Sequence, residues 1–432
     1  MAATTNGHVN GEKSKTGIKV VIVGAGFGGL TAAIECHRQG HDVEIYESFP
    51  ELKTLGDIIS FGANAGRIFH RWSNGEISRR MRPLSIDLTD YGFRIHKYTG
   101  ELITTQATPK MDPEAPVFNG HRGELHEVVF NYARDELGIP IHLGKKILKY
   151  FENEKEAGIE LDDGTKVSAD VVLGADGVRS KARELVLGYD DKPKSSGYAV
   201  WRAWFPNTDM IKDPRTKEFC ENGDTFNGWI GQDVHFLFST IKGGKDCCWV
   251  LTHRDEADID ESWSFPGHLP DVFKVLKDWD PICTAIVEKT PALVDWKLVY
   301  RDPLPTWVSA HARICLVGDA AHPFLPTSAQ GATQAMEDGV TMAVCLRRAG
   351  KNNIPGALKA HQEIRYDRVR NVQKTGETTR DMWHKADWDK VKQNPESVQF
   401  PREDWIMKFD AEKHAEEVFD DVLAKVSGGS KL

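Results

Sequence analysis

The chain has 432 residues, enough for two or three domains with sizeable cores, and its 40% hydrophobic and 28% charged composition is that of a globular protein. A formal net charge of −9 argues against nucleic acid as a main partner. No apolar run approaches the ~20 residues of a membrane-spanning helix, the first stretch lacks a signal peptide's apolar core, and the scattered cysteines suit reduced thiols and show no zinc spacing, so no metal site is expected.

Residues 1–16 are rich in Asn, Gly, Ser, Thr and Lys and read as a disordered tail. A buried strand follows, from Ile18 through Val20-Val21-Ile22-Val23. It runs into Gly24-Ala25-Gly26-Phe27-Gly28-Gly29, a G-x-G-x-x-G on a strand-to-helix turn, with the helix over Leu30 to Arg38. A second strand, Val43 to Tyr46, ends at Glu47. That acid lies about 20 residues past the glycines, where it can bind ribose hydroxyls. Gly24, Gly26 and Gly29 let the backbone approach a pyrophosphate, which the helix N-terminus neutralises. The motif alone does not choose between FAD and NAD.

Tyr91 to Gln106 alternates around Thr99-Gly100 and reads as a hairpin leaving the nucleotide domain. Asp163-Gly164 marks a second hairpin, and Val171-Val172-Leu173-Gly174 is a further buried strand, followed by Ala175-Asp176-Gly177. From about Tyr189 the chain becomes aromatic and alternating. Ser196 to Trp204, Val234 to Ser239 and Cys247 to Leu251 read as antiparallel strands of a second sheet. Alternation puts Tyr198, Val200, Arg202 and Trp204 on one face. An arginine there must find an anion or a carbonyl, because an unpaired buried charge is very costly. Arg202 is therefore the first candidate for orienting or protonating a substrate. Pro270 to Trp279 reads as an amphipathic helix.

Ile314-Cys315-Leu316-Val317 is another buried parallel strand, ending at Gly318 with Asp319 at its carboxyl end. Pro323 and Pro326 stiffen the following loop, and a helix begins near Ala332. Ligands of open α/β sheets bind just past strand carboxyl ends, and the helix start at Ala332 aims free N–H groups at whatever sits in the loop. A ring that must become anionic would be stabilised there. Residues 374–426 are charged and helical, with no assignable role, and the oligomeric state is left open. The chain ends Ser427-Gly428-Gly429-Ser430-Lys431-Leu432. The S-K-L tripeptide is a receptor-read peroxisomal address on a flexible tail, so the expected location is the peroxisome, by way of its import receptor, and otherwise the cytoplasm.

The stretch Gly318-Asp319-Ala320-Ala321-His322-Pro323, followed by Ala329-Gln330-Gly331 and Glu337-Asp338, resembles the flavin-ring loop of the class A FAD-dependent aromatic monooxygenases, the salicylate and para-hydroxybenzoate hydroxylase family, and its fungal secondary-metabolism members in particular. Ala329 departs from the family's glycine. The resemblance covers roughly residues 17–373. It implies that Arg122, in Arg122-Gly123-Glu124-Leu125, reaches the phosphate and ribityl region, and that Asp176 meets the ribityl hydroxyls while its loop also serves the nicotinamide nucleotide. It also places residues 55–65 beside the flavin, ending near Asn64. Asp57 stands where the family carries small residues, and is read as a substrate-binding or acid/base group.

The fold expected is α/β. A discontinuous Rossmann-like FAD-binding domain spans residues 17–85, 112–188 and 300–373. A mainly antiparallel substrate domain spans 86–111 and 189–299, and a C-terminal helical segment spans 374–426 before the 427–432 tail. The function implied is hydroxylation or epoxidation of an electron-rich phenolic, salicylate-like or indole ring, with FAD, NADPH or NADH and O2, through a flavin C4a-hydroperoxide. A non-oxygenating FAD oxidoreductase is the alternative. A flavin halogenase is disfavoured, since no Trp-x-Trp-x-Ile-Pro occurs.

Overall fold

The computed structural model describes residues 15–52, 57–110, 112–255 and 265–428. Met1 to Ser14, Leu55-Gly56 and the Ser430-Lys431-Leu432 terminus lie outside the described residues. Thr16 already belongs to the folded body, since its N–H donates to Gly40 O at 2.9 Å.

Five strands form an all-parallel sheet in the order Ile314–Leu316, Val171–Gly174, Lys19–Val23, Asp42–Tyr46, Ile141–His142. Their near-continuous apolar runs suit a sheet covered on both faces. Helices Phe27–Arg38 and Gly331–Ala349 pack on each other across it. Gly339 permits the approach, because a Cβ there would lie 2.6 Å from Ala32 N. The hairpin at Asp163-Gly164 belongs to a small three-stranded sheet with Ile147–Glu152.

The second sheet has eight strands, in the order Phe265–Pro266, Val294–Tyr300, Lys194–Pro206, Asp246–Arg254, Val234–Ile241, Thr225–Gly231, Phe93–Lys97, Leu102–Gln106. It is antiparallel except where Thr225–Gly231 runs parallel to Phe93–Lys97. The 91–106 hairpin thus completes the edge of the aromatic sheet. Strand alternation divides its faces. Trp201, Ala203 and Phe205 pack with Val272, Cys283 and Ile286 of two short helices, Leu269–Val275 and Pro281–Val287. Tyr198 and Val200 pack instead with Val250, Trp296 and Leu325, and Trp204 with Ile58 and Cys248. The sheet therefore turns its Arg202 face toward the loop that follows Ile314–Leu316.

One long helix, Ile354–His384, runs from the nucleotide-binding half into the segment after residue 373. Gly376 on it faces Leu325 and Ser328 of the loop, and His384 at its end meets His235 of the second sheet. The chain then packs Trp383, Val391 and Val398 against Phe93, Ile95 and Ile230. It returns as Ala411–Gly428, whose Phe419 joins the core of the nucleotide-binding half. Among the described residues, no helix is long and apolar enough to cross a membrane.

Candidate active site

The glycine turn shows two different reasons for glycine. Gly24 has φ +102°, and a Cβ on it would lie 2.3 Å from Ala175 O. A Cβ on Gly29 would lie 2.0 Å from Gly24 O. Both are required by the protein's own packing. Gly26 is not, since its φ is −71° and a Cβ there meets nothing within 4 Å. The open space beside it is where a pyrophosphate fits. The helix Phe27–Arg38 starts there with no side-chain cap, leaving its first N–H groups for a ligand. Glu47 flanks this space. It accepts from Ala25 N–H at 2.8 Å through one oxygen and from Phe49 N–H at 2.9 Å through the other, which leaves lone pairs for ribose hydroxyls.

Asp176 is more occupied than its assigned role implies. Its Oδ2 accepts from Tyr150 OH at 2.9 Å and from the N–H groups of Lys181 and Ala182 at 2.9 and 3.2 Å. Its Oδ1 is buried with no hydrogen-bond partner in the protein, so one oxygen remains for a ligand hydroxyl. Arg122 opens the helix Arg122–Asn131, and its N–H donates to Asp57 O at 2.9 Å. Burial raises the Asp319 carboxyl above the usual carboxylate range, opposed by the charges of His322, Arg122 and Arg183. The adjacent carboxyl ends of Lys19–Val23, Val171–Gly174 and Ile314–Leu316 thus bring Gly24, Asp176 and Asp319 to one end of the parallel sheet, where Asp319 also senses the Arg122 charge.

Arg183 is a residue the sequence reading passed over. Its guanidinium ties two loops together, donating to Val178 O at 2.9 Å, Asp319 O at 3.0 Å and Ala320 O at 2.9 Å. Burial, then neighbouring Arg301, brings it down to about 10. Its only sequence signal is its place three residues after Ser180, whose hydroxyl accepts from Arg183 N–H at 3.1 Å.

The loop after Asp319 is anchored from below. Asp338 accepts from Gly318 N–H at 2.9 Å and bonds His322 Nε2 at 2.6 Å. Arg365, fully buried, donates to Asp338 at 2.8 Å and also to Glu337 and Gln334. Arg368 and Asn64 complete the shell around Glu337, at 2.7 and 2.8 Å. Burial pushes both carboxyls up, yet the surrounding cations hold both below the usual carboxylate range. Asn64 is therefore a tether of the helix bearing Glu337. Ala332 stands at the second position of that helix, Gly331–Ala349, which begins uncapped by any side chain. Ala329 takes a left-handed φ of 51°, which explains why glycine suits this position.

The two catalytic candidates meet. Arg202 Nη1 donates to Asp57 Oδ2, linking residues 145 positions apart. The guanidinium lies 5.0 Å over the Trp296 ring, and Arg202 is 7% exposed. The pair stands on the sheet face that looks toward Leu325 of the loop. This answers the expectation that Arg202 needs an anion. Asp57 supplies it, and so Asp57 is neither a solvated loop acid nor an isolated charge beside a flavin.

The family described as "FAD binding domain" matches residues 132–375, and that described as "NAD(P)-binding Rossmann-like domain" matches residues 22–52. The chain is 36% identical to asperlicin C monooxygenase of Petromyces alliaceus, over 95% of this chain and 90% of that protein. It is 34% identical to the FAD-dependent monooxygenase nanF of Aspergillus nanangensis, over 96% and 92%. A crystal structure of CtdE in complex with FAD and a substrate superposes with a TM-score of 0.89 at 34% identity, over 95% of this chain and 100% of that one. This chain belongs to the family of FAD-dependent monooxygenases.

Proposed function

We propose that this monooxygenase hydroxylates or epoxidises an electron-rich aromatic small molecule, a phenol or an indole, with NADPH or NADH as electron donor. The observation that carries this reading is the placement of Arg202 and Asp57 together on an apolar sheet face opposite the anchored loop. FAD bound at the carboxyl end of the parallel sheet would supply the chemistry that activates dioxygen. Gly26 and the first turn of Phe27–Arg38 would cradle its pyrophosphate, and Glu47 would accept from its ribose. Arg122, Asp176 and Asp319 would hold its middle, and the helix start at Ala332 would stabilise negative charge on its ring. Arg202 orients the substrate or donates a proton to it, with Asp57 as its partner. Trp204, Val250, Trp296 and Leu325 supply apolar walls that keep water from the reacting ring.

The test is NADH and NADPH consumption by the purified yellow protein against a panel of phenols and indoles in labelled dioxygen. Consumption stimulated by one ring, with label in the product, is expected. Substrate-independent consumption with unlabelled product favours a non-oxygenating oxidoreductase.

We also propose residence in the peroxisome, on the terminal Ser430-Lys431-Leu432. A fluorescent protein fused ahead of Met1 is expected in peroxisomes with the terminus intact and in the cytosol without Leu432. A diffuse signal from the intact fusion rules the address out.

A further inference from the structure

At Arg202 the sheet face carries a cation bonded to an anion, Asp57, and Arg254, which lies opposite Tyr198 on the same face, pairs with Asp233. Val250 and Val294 flank Arg202 in register on the two neighbouring strands, and Trp296 lies under its guanidinium. Among the described residues, the other ionisable groups at this end of the sheet bring no uncompensated charge. Lys242 is bonded to Glu124 at 2.6 Å and to Asp246 at 2.9 Å. His121 packs edge-on to Trp204 with ring centroids 4.7 Å apart, and burial lowers its pKa. Burial raises the Cys248 thiol, keeping it protonated.

We propose that Asp57 is a specificity-determining residue, which neutralises Arg202 and so selects uncharged electron-rich rings over aromatic carboxylates. This rests on the ring-oxygenating reading above and narrows its substrate class. A substrate carboxylate reaching Arg202 must displace the Asp57 oxygen or settle beside it. Either way two carboxylates share one guanidinium among apolar side chains, and like charges so placed repel strongly. A neutral ring bearing a carbonyl or hydroxyl oxygen meets no such penalty. Arginine has five N–H donors, so the same guanidinium can bind that oxygen with the Asp57 bond intact. The selection is built by repulsion as much as by attraction.

The experiment uses the FAD-loaded full chain and matched probes, salicylamide with salicylate and indole-3-acetamide with indole-3-acetate. Binding is read from the perturbed absorbance of the oxidised flavin. The native protein is expected to bind each amide at least about tenfold tighter than its carboxylate. Asp57→Asn keeps the side chain's shape and an acceptor oxygen but removes the charge. It is expected to shift the amide-to-carboxylate ratio by about tenfold or more toward the carboxylate. Asp57→Ser serves in parallel, should the first variant lose flavin. Adding Arg202→Gln to either should abolish the gained carboxylate binding. Equal or tighter carboxylate binding by the native protein overturns the proposal, as does an unchanged ratio in FAD-replete Asp57 variants. Oxygenation of a phenol alongside such a result leaves the ring-oxygenating reading standing. Failure of every probe to bind, with no oxygenation of any ring, overturns both.

Discussion

At the residue scale, the glycines and one alanine separate what the fold needs from what a ligand needs. Gly26→Val places a branched side chain in open space, where no protein atom opposes it. The variant is expected to fold with native stability and retain less than about a tenth of the FAD, because the branched group fills the pyrophosphate's place. Flavin absorbance per protein after desalting checks this, and full yellow occupancy contradicts it. Gly24→Ala is different in kind, since both its φ and the Ala175 carbonyl forbid a side chain. At position 329 the chain tolerates a strain. Left-handed backbone costs an alanine about 1–2 kcal/mol, and glycine's extra freedom in the unfolded chain gives back about 0.5–1 kcal/mol of that difference. Ala329→Gly is therefore expected to stabilise by about 0.5–1 kcal/mol. A urea midpoint that does not rise contradicts this.

At the element scale, the helix pair Gly331–Ala349 and Ile354–His384 holds the flavin loop through a buried ionic cluster. Arg365→Met leaves Glu337 and Asp338 short of a cation in the interior, which costs about 3–5 kcal/mol. The urea midpoint should fall accordingly, and the loop anchored by Asp338 should release FAD more readily. An unchanged midpoint contradicts this. The sequence made part of this arrangement legible. Four of the five parallel strands announce themselves as apolar runs before glycine or acid, and Glu337-Asp338 and Arg365 to Arg368 fall at helical spacing. The strand Thr225–Gly231 did not, because Gly228 and Gly231 interrupt its apolar pattern. Gly228 is there to admit the Phe93 ring, whose Cζ would stand 2.9 Å from a Cβ. Nor did the bond between Asp57 and Arg202, since spacing along a chain carries no information about partners 145 residues apart. The demand that Arg202 find an anion was readable; which anion was not.

At the scale of the whole molecule, buried histidines set an acid limit. Burial lowers His253, His361 and His384 from an ordinary value of 6.5 to about 4, and holds His235 well below that ordinary value. Their folded pKa lies below the unfolded one. Above about pH 6.5 both states hold them neutral, and as pH falls toward 4 only the unfolded chain takes up protons. Stability is thus lost in that window, at up to about 1.4 kcal/mol per pH unit for each histidine. The depressed carboxyls of Glu337 and Asp338 add their loss only lower, once pH drops below the unfolded value of about 4. Urea midpoints should decline between about pH 7 and about pH 5, and a flat profile there contradicts the assignment. The order of strands in the parallel sheet has a consequence in time. Lys19–Val23 is its central strand, yet the edge strand Ile314–Leu316 and its loop emerge from the ribosome nearly three hundred residues later. At translation speeds of about 5–20 residues per second, the nascent nucleotide-binding half waits roughly 15–60 s for that strand. For the later part of this interval, the roughly 7–28 s in which the 140 residues between Gly174 and Ile314 are made, the open edge of Val171–Gly174 is exposed to other chains, a hazard that the finished sheet removes.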